Sequence, residues 1–362
     1  MFPRLSYLEW MSRRADAALF DLGTTGLVGD RGDERAIVPE PLAELPDAPA
    51  GATLENLLAQ IYGVDPDRVL VTAGATHATF LAVAASLDET DGDHVAVERP
   101  AYEPLVGTPM GLGATVDQFD RGARGGLDVA SLRETLGDDT ALAIVTNRHN
   151  PTGYLADEAE LSAAAEAART VDAPLLVDEV YAPYVTDPVD GPFGGPTAAD
   201  LPNGVVTGSL TKFFGLGDLR IGWMVGPSDL VGRARQIAFH LPDVAGPSRI
   251  LARRALVSRD ELVDEQRAIL AENHRALAEF VASRDDLAGT VHDGASFGFL
   301  EPRNSSVDDL VPAAWNEGVL VVPGRFFGDR ERVRIAAGRA PTDVTISLRR
   351  LGQVLTDVGR AP

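Results

Sequence analysis

The stretch Ala173-Pro174-Leu175-Leu176-Val177-Asp178-Glu179-Val180-Tyr181 is an apolar run that ends in two acidic residues. A short apolar run of this kind is typical of a strand that is buried on both faces of a parallel sheet. Similar runs alternate with helix-like segments on both sides of it, at Val69–Thr72, His94–Val97, Thr115–Phe119, Leu142–Thr146, Gly204–Thr207 and Ile221–Val225. The alternation predicts an α/β fold with parallel strands and crossover helices.

The pattern changes after Pro247. An Arg/Glu/Ala-rich segment that extends to about Arg284 predicts one long helix, and a smaller α+β part follows, with strands at Ser296–Leu300, Val319–Val322 and Val333–Ala336 and a final helix at Val344–Val358. We therefore predict a large cofactor-binding domain at 41–245 and a small domain made of 1–40 and 246–362. The Pro/Gly-rich residues 187–203 predict a surface loop.

Composition narrows the class of protein. The formal net charge is −22, which argues against nucleic acid and anionic membranes as partners. Cysteine is absent, so disulfides, iron–sulfur clusters and thiolate zinc sites are excluded. No apolar run approaches the ~18 residues of a membrane span, and we expect a soluble cytoplasmic protein.

Lys212 is the only lysine of the chain. A strongly acidic, lysine-poor composition suits a cytoplasm of high salt, where screening weakens the repulsion between carboxylates. A halophilic source is one hypothesis, and a plain compositional bias toward arginine is the other. In either case, the single position that keeps a lysine is informative. A lysine amine forms a covalent imine with a carbonyl group, which arginine does not do, although a surface lysine left by chance is the alternative.

A candidate phosphate site surrounds this lysine. Gly74-Ala75-Thr76 follows the strand Val69–Thr72 and opens a helix, so its amide groups and the helix dipole favour an anion. Ser209 and Arg220 flank Lys212 and could add a hydroxyl and a guanidinium to the same anion. Either of the two could equally be an ordinary surface residue.

Polar residues also follow other predicted strands. Asp178 ends a buried run and would face the crevice beyond the sheet, where its carboxylate needs a cation. A protonated pyridine nitrogen is a candidate for this cation. The alternative is that Asp178 caps a helix. Tyr181 and Asn150 would lie within reach of a phenolic oxygen of the same ring. Tyr102 follows a strand as well and could stack on the ring, or it could be a core tyrosine.

These residues resemble a known family. The order of the segments G-A-T, P-x-Y, N-P-T-G, D-E-V-Y, S-x-T-K and R-I-G along the chain is similar to that of the class I/II aminotransferases, which are fold-type I pyridoxal-phosphate enzymes with a three-layer large domain, a mostly parallel seven-stranded sheet and a smaller α+β domain. The resemblance implies a homodimer that contains pyridoxal 5'-phosphate.

The resemblance also implies roles for individual residues. Lys212 would form the Schiff base and Asp178 would pair with the pyridine nitrogen. Asn150 and Tyr181 would bind the phenolic oxygen and Tyr102 would stack on the ring. The phosphate would be held by Gly74, Ala75, Thr76, Ser209 and Arg220. The substrate would be bound by Gly23, Asn150 and Arg334, the last as the arginine for its carboxylate.

The implied reaction moves an amino group between an amino acid and a 2-oxo acid. The same constellation also supports lyase, decarboxylase or cyclase chemistry on amino acids, as in the branch that resembles capreomycidine synthase, and the fold also occurs as a non-catalytic pyridoxal-phosphate module.

The sequence departs from the family pattern at one position. The family commonly has a tyrosine about five residues before the glycine that corresponds to Gly51, and this tyrosine reaches the phosphate of the neighbouring subunit. The sequence has no tyrosine in 45–49.

A hydrolase is the rival enzyme class, because Gly294-Ala295-Ser296-Phe297-Gly298 matches the nucleophile motif G-x-S-x-G. That motif requires a strand–turn–helix context and a later histidine. All six histidines precede Ser296, and the next residues predict a strand. The histidines also lack metal-ligand spacing, and no nucleotide-binding glycine loop is present, so no metal site is predicted.

Overall fold

The computed structural model describes residues 2–15, 17–27, 37–122 and 124–359. Its helices are α1 (Ser6–Ser12), α2 (Glu40–Ala43), α3 (Leu54–Tyr62), α4 (Ala75–Glu89), α5 (Glu103–Gly111), α6 (Val129–Thr135), α7 (Glu158–Arg169), α8 (Ser228–Ala238), α9 (Gly246–Val257), α10 (Arg259–Ala282), α11 (Val307–Asn316) and α12 (Pro341–Val358). Within these ranges, no helix has the length and apolar character needed to cross a membrane.

The strands are β1 (Phe20–Asp21), β2 (Val69–Thr72), β3 (His94–Arg99), β4 (Thr115–Asp120), β5 (Thr140–Thr146), β6 (Leu175–Asp178), β7 (Gly204–Ser209), β8 (Gly222–Val225), β9 (Leu287–Ala288), β10 (Phe297–Pro302), β11 (Val319–Leu320), β12 (Val322–Pro323) and β13 (Val333–Ala336). Short 3-10 turns lie at Pro66–Arg68, Pro192–Gly194, Gly217–Leu219 and Gly324–Phe327.

The large sheet has seven strands in the order β2-β8-β7-β6-β5-β3-β4. β4, β3, β5, β6 and β7 are mutually parallel, whereas β8 runs antiparallel to both of its neighbours. Every residue of β5, β6 and β7 is buried, because helices cover both faces of such a sheet. The predicted mostly parallel seven-stranded sheet is confirmed.

The carboxyl ends of the parallel strands meet at one edge of this sheet. Thr146, the last residue of β5, is in register with Asp178, the last residue of β6, and Asp178 is in register with Thr207 of β7. The segments that follow these strands are therefore neighbours in space, as expected for the ligand-binding edge of an open α/β sheet.

A second, antiparallel sheet in the C-terminal part has the order β12-β13-β10-β9. Leu300 of β10 and Ile335 of β13 share a core cluster with α12. The N-terminal β1 pairs in parallel with β11, which ties the start of the chain to its C-terminal part. The domain boundaries at residues 41 and 245 remain a prediction.

Two predictions about single elements are wrong. The expected single helix after Pro247 is two helices, α9 and α10, which meet at Ser258 (φ −98°, ψ 24°). The Ser258 side chain makes no capping hydrogen bond, but Asp260 and Glu261 in the first turn of α10 suit the positive end of a new helix. The expected strand Val319–Val322 is likewise two short strands in different sheets, β11 and β12.

The segment 187–203 is also less exposed than expected. Phe193 is buried and packs edge-to-face on Phe214, with the ring centroids 5.2 Å apart. Glu179 accepts hydrogen bonds from Ala198 N at 2.7 Å and from Thr197 Oγ1 at 3.0 Å. Because this buried carboxylate needs donors, it anchors part of the predicted surface loop to the core.

Candidate active site

A cavity of about 300 Å³ lies beyond the carboxyl ends of the parallel strands. Ten of the residues predicted for the site line it: Gly23, Ala75, Thr76, Tyr102, Asn150, Asp178, Tyr181, Ser209, Lys212 and Arg220. The other two lie directly behind this lining. Gly74 precedes α4 and Arg334 is hydrogen-bonded to Asn150 and Gly23.

Lys212 lies in the turn after β7, where its side chain reaches the cavity. Its Nζ atom is 5.9 Å from the centroid of the Tyr181 ring. The backbone carbonyl of Lys212 accepts a hydrogen bond from Leu27 N at 2.8 Å, so the N-terminal segment helps to hold this turn. The only lysine side chain of the chain thus lines the cavity.

Asp178 ends β6 with only 7% of its surface exposed. Its Oδ1 accepts a hydrogen bond from Val180 N at 3.2 Å. Burial raises the pKa of Asp178 to about 6, against smaller lowering effects from that amide and from Lys212. A buried carboxylate is stabilised by a cationic partner, and Asp178 faces a cavity that could receive one.

Backbone amides and Arg220 form an anion cradle at the start of α4. Gly74 precedes the helix with φ 89°, and the first amides of a helix have no acceptor within it. Arg220 adopts a left-handed conformation (φ 50°) and turns its guanidinium toward this end. A Cβ on Gly74 would lie 2.9 Å from Arg220 Nη2, and one on Gly222 would lie 2.3 Å from the carbonyl carbon of Gly74.

The cradle includes two hydroxyl side chains, one from Ser209 at the end of β7 and one from Thr211 in the turn that follows. Ser209 is buried, and its Oγ accepts a hydrogen bond from Thr211 N at 3.3 Å. Thr211 lines the cavity as well, although the sequence interpretation did not assign it to the site. A phosphate group bound here would meet amides, hydroxyls and a guanidinium, which are its usual protein ligands.

Arg334 is almost fully buried, with 1% of its surface exposed. Its Nη1 donates to Asn150 Oδ1 at 2.8 Å, and its Nη2 donates to Gly23 O at 2.8 Å and to Tyr7 Oη at 3.0 Å. These acceptors are all neutral. Arg334 is therefore a buried cation that is held by neutral groups next to the cavity lining.

Helix α1 covers the cavity and was missed by the sequence interpretation. Tyr7, Leu8 and Met11 of this helix line the cavity. The Tyr7 ring packs edge-to-face on Tyr102, with centroids 5.7 Å apart and planes at 85°. Glu103 accepts hydrogen bonds from Ser6 N at 2.9 Å and from Tyr7 N at 2.7 Å. A carboxylate next to a helix N-terminus is favourable, so Glu103 fastens α1 to the start of α5.

Tyr181 is buried, and its hydroxyl is 2.7 Å from Thr25 Oγ1. Tyr184 donates to the carbonyl of Thr25 at 2.9 Å. The N-terminal segment therefore contacts the lining of the cavity through Thr25. Thr25 and Tyr181 are 156 positions apart in the chain. No local pattern in the sequence could identify Thr25 as a partner of Tyr181.

A buried polar network joins the loops that carry Tyr102 and Asn150. His149 Nε2 donates to Pro100 O at 2.8 Å, and its Nδ1 is 2.7 Å from Thr152 Oγ1. Burial lowers the pKa of His149 well below its usual value, so the imidazole is neutral. Glu98 lies beneath and accepts from Thr146 N at 2.8 Å and from Arg121. Such networks hold neighbouring loops in a single arrangement.

The rival serine motif has no hydrolase geometry. Ser296 is fully buried, and β10 begins at the next residue. His274 Nδ1 contacts Ala295 O at 3.0 Å, and Ala295 N donates to His292 O at 2.9 Å, so both of these histidine contacts are with the backbone of the preceding residue. Because a nucleophile elbow requires an exposed hydroxyl at a strand–helix turn, this segment is a structural strand.

An amine, a buried carboxylate, an anion cradle and a buried guanidinium around one cavity define an enzyme site for a phosphorylated imine-forming cofactor. The model of the family "Aminotransferase class I and II" matches residues 34–351. The chain belongs to this family, whose members use pyridoxal phosphate.

Individual relatives agree with this assignment. The chain is 31% identical to capreomycidine synthase of Streptomyces vinaceus over 353 residues. The alignment covers 92% of this chain and 89% of the relative. It is 31% identical over 319 residues to a probable N-succinyldiaminopimelate aminotransferase of Mycobacterium tuberculosis, with 82% and 77% covered. A pyridoxal-phosphate-dependent aminotransferase of Streptococcus suis has the same fold, with a TM-score of 0.86 at 24% identity and 100% of both chains covered.

The residues around the cavity fit pyridoxal phosphate on structural grounds. The buried Asp178 needs a cation, Lys212 offers an amine, and the space between Gly74 and Arg220 would be filled by a Cβ atom at residue 74. These three features match the pyridine nitrogen, the aldehyde and the phosphate of the cofactor in turn.

Proposed function

We propose that this chain moves an amino group between an amino acid and a 2-oxo acid by means of a Schiff base at Lys212. The observation that carries the proposal is the convergence of Lys212, Asp178 and the Asn150–Arg334 pair on one cavity. When bound, pyridoxal phosphate supplies an electron sink for the carbanion that forms at the substrate Cα.

The residues of the chain then have distinct tasks. Lys212 Nζ removes the proton from the substrate Cα as general base. Asp178, as a carboxylate, would keep the pyridine nitrogen of the cofactor protonated. Tyr181 and Asn150 would donate to its phenolic oxygen, and Tyr102 would stack on its ring. The residues that would hold the phosphate are Gly74, Ala75, Thr76, Ser209 and Arg220.

Substrate binding rests on Arg334, with Gly23 and Asn150 beside it. Three of the five N–H donors of Arg334 are used by Asn150, Gly23 and Tyr7, so a donor remains for a substrate carboxylate. Burial strengthens such a charged hydrogen bond. In this role, Arg334 selects substrates with a free α-carboxylate. The backbone carbonyl of Gly23 accepts a hydrogen bond from the same guanidinium at 2.8 Å. This contact supports a binding mode in which the substrate would lie between the N-terminal segment and the cofactor.

An amino-acid cyclase is the second candidate, because the chain is 31% identical to capreomycidine synthase over 92% of its length. Both reactions begin with the loss of the Cα proton, and the residues that hold the cofactor are the same in both proposals. The products differ, since transamination would release the amino donor as a 2-oxo acid and consume a second 2-oxo acid, whereas a cyclase would release a cyclic amino acid.

An absorption spectrum combined with a panel of substrates tests the proposal. The purified protein, loaded with pyridoxal phosphate in high salt, is titrated with each of the twenty amino acids and then with 2-oxo acids. We expect a shift of the cofactor band with an amino acid and its reversal by a 2-oxo acid. Release of ammonia or carbon dioxide, or a cyclic product without reversal, would contradict transamination. No shift with any amino acid would favour a non-catalytic module.

We also propose that the protein is a homodimer in a cytoplasm of high salt. The family resemblance supports the dimer, and the net charge of −22 with a single lysine supports the high-salt environment. Light scattering at several salt concentrations tests both. A monomer in high salt, or full stability without salt, would contradict them.

A further inference from the structure

The hydroxyl of Tyr7 contacts the guanidinium that our proposed function assigns to the substrate carboxylate. Arg334 Nη2 donates to Tyr7 Oη at 3.0 Å. Tyr7 also lines the cavity, although only 8% of its surface is exposed. The hydroxyl therefore stands at the boundary between the arginine and the space that a substrate would enter.

The hydrogen-bonding capacity of the pair is not exhausted. A tyrosine hydroxyl has one donor and can also accept, and a guanidinium has five N–H donors. Tyr7 Oη accepts from Arg334, and no acceptor for its own proton is found among the residues that the structure describes. Arg334 uses three donors on Asn150, Gly23 and Tyr7, while its Nε has no partner in the same ranges.

We propose that Tyr7 is a specificity-determining substrate contact, whose hydroxyl donates to the same α-carboxylate that Arg334 binds. One carboxylate oxygen then accepts from the guanidinium and the other accepts from Tyr7. The pair selects amino acids with a free α-carboxylate over the corresponding amines. This inference rests on the proposed function, since it assigns a second donor to the same substrate group.

Tyr7 is held in place before any substrate arrives. Its ring packs on Tyr102, Phe326 and Phe327, with centroid distances of 5.7, 5.7 and 5.8 Å. Its backbone amide donates to Glu103 Oε2 at 2.7 Å. Because the side chain loses little further freedom on binding, its hydrogen bond contributes fully to affinity.

The test compares Tyr7→Phe with Tyr154→Phe in the cofactor-loaded enzyme. Phenylalanine keeps the ring packing at residue 7 and removes only the hydroxyl. Tyr154 is a matched control, because its hydroxyl donates to Glu160 at 2.9 Å and does not line the cavity. The probes are L-norvaline and n-butylamine, which differ only in the α-carboxylate, followed by the best amino acid of the panel and its amine.

In Tyr7→Phe, we expect the apparent Kd for L-norvaline to rise by about 10- to 100-fold, the range for one hydrogen bond to a charged group. The Kd for n-butylamine and the kcat for the best amino acid should change little. Tyr154→Phe should match the wild type with both probes. Both Kd values are obtained from the absorption band of the cofactor.

Other outcomes overturn the inference. An unchanged Kd for L-norvaline in Tyr7→Phe means that the hydroxyl only covers Arg334, and an equal loss for both probes means that Tyr7 acts through packing. If the wild type binds L-norvaline and n-butylamine with equal affinity, the site does not recognise the α-carboxylate, and the inference fails. The proposed function has its own test, which is independent of Tyr7: it fails if the wild type converts no amino acid of the panel to a 2-oxo acid.

Discussion

Asn150 Oδ1 accepts a hydrogen bond from Arg334 Nη1 at 2.8 Å, although 184 positions separate the two residues in the chain. Both side chains are buried. Because the amide oxygen is engaged, the amide nitrogen of Asn150 is the group left to donate into the cavity. One contact thus orients the amide toward the cofactor and holds the guanidinium that we assign to the substrate.

Replacing Arg334 by alanine should raise the apparent KM for amino acids by about 100-fold, since hydrogen bonds to a charged group contribute roughly 1.5–3 kcal/mol. Cofactor affinity should hardly change, because Arg334 does not line the phosphate cradle. Steady-state kinetics and a cofactor titration measure the two quantities. Arg303→Ala, at an exposed arginine, is the control. Loss of the cofactor with unchanged substrate affinity would make Arg334 a structural residue.

Lys212→Ala should abolish turnover while the protein remains folded. Loss of the base alone removes about 10²–10⁴ in rate, and the covalent exchange route is lost with it. Single-turnover kinetics with circular dichroism as a folding control measures this. Turnover at the wild-type rate would refute the proposed mechanism.

The single lysine also permits a direct chemical test. Borohydride reduction of the loaded wild type should leave the cofactor on one peptide, residues 170–220, after cleavage at arginine. Lys212→Arg keeps the positive charge but forms no imine, so it should carry no label. A label on any other peptide would contradict the assignment.

Asp178→Asn should slow the reaction by roughly 10²-fold or more, which corresponds to a loss of about 2.7 kcal/mol. The shape and one hydrogen-bond acceptor are kept, but the negative charge opposite the pyridine nitrogen is removed. Single-turnover kinetics on the loaded enzyme measures the effect. A normal rate combined with early thermal unfolding would show that Asp178 is only a structural cap.

The cofactor-free protein should respond to pH through the same residue. Burial raises the pKa of Asp178 to about 6 from its ordinary value of 3.8, so between these two values the folded state keeps a proton that the unfolded state loses. The contribution of Asp178 to the free energy of unfolding is present below about pH 4 and is lost as the pH rises through 6. At pH 7, Asp178→Asn should therefore be more stable than the wild type by up to about 3 kcal/mol.

The comparison at low pH serves as the control for this prediction. At pH 4, both folded proteins carry a neutral group at residue 178, and their free energies of unfolding should differ by less than about 1 kcal/mol. Denaturant titrations at pH 4, 5, 6 and 7 give the difference directly. A difference that does not depend on pH would assign the effect to packing and not to the buried charge.

Gly222→Ala should weaken cofactor binding at least tenfold. The new Cβ would lie 2.3 Å from the carbonyl carbon of Gly74 and 2.5 Å from Ala75 N, so the start of α4 has to move away from Arg220. Overpacking of this kind costs about 1–3 kcal/mol. Fluorescence titration with pyridoxal phosphate and a thermal melt measure both effects.

Gly232→Ala is the matched control, since nothing lies within 4 Å of a Cβ at this position of α8. Alanine favours a helix by roughly 0.5–1 kcal/mol over glycine, so this variant should be slightly more stable and should bind the cofactor normally. Equal cofactor affinity in the two variants would show that the cradle tolerates a side chain at residue 222.

Glu103→Gln should loosen α1. The glutamine retains one acceptor oxygen, whereas both carboxylate oxygens of Glu103 accept amide protons of α1. Amide exchange in residues 6–12 should accelerate about tenfold or more, the effect of losing one hydrogen bond to a charged group, and the KM for amino acids should rise.

Glu9→Gln, on the same helix, is the control, because Glu9 is half-exposed and its carboxylate forms an ion pair with Arg4 at the surface. It should leave both the amide exchange and the KM unchanged, as expected for a surface ion pair. Exchange that accelerates equally in both variants would mean that α1 responds to charge in general and not to the Glu103 contact.

The sequence alone determined the large sheet and the turns that follow its strands. Buried strands need continuous apolar runs, and parallel strands place their carboxyl ends at one edge. For this reason Asp178, Lys212 and Asn150 could be assigned to one site from their positions after β6, β7 and β5. Lys212 was favoured further by being the only lysine.

Only the tertiary structure decided which distant groups complete the site. Tyr7, Thr25 and Glu103 carry no local signal, because their contacts with Arg334, Tyr181 and α1 depend on how the N-terminal segment packs across the cavity. The break at Ser258 was also missed, since an Arg/Glu/Ala-rich segment is compatible with one helix or with two. Local physics selects strands and turns, whereas side-chain partners far apart in the chain are selected by packing and by the need to satisfy buried polar groups.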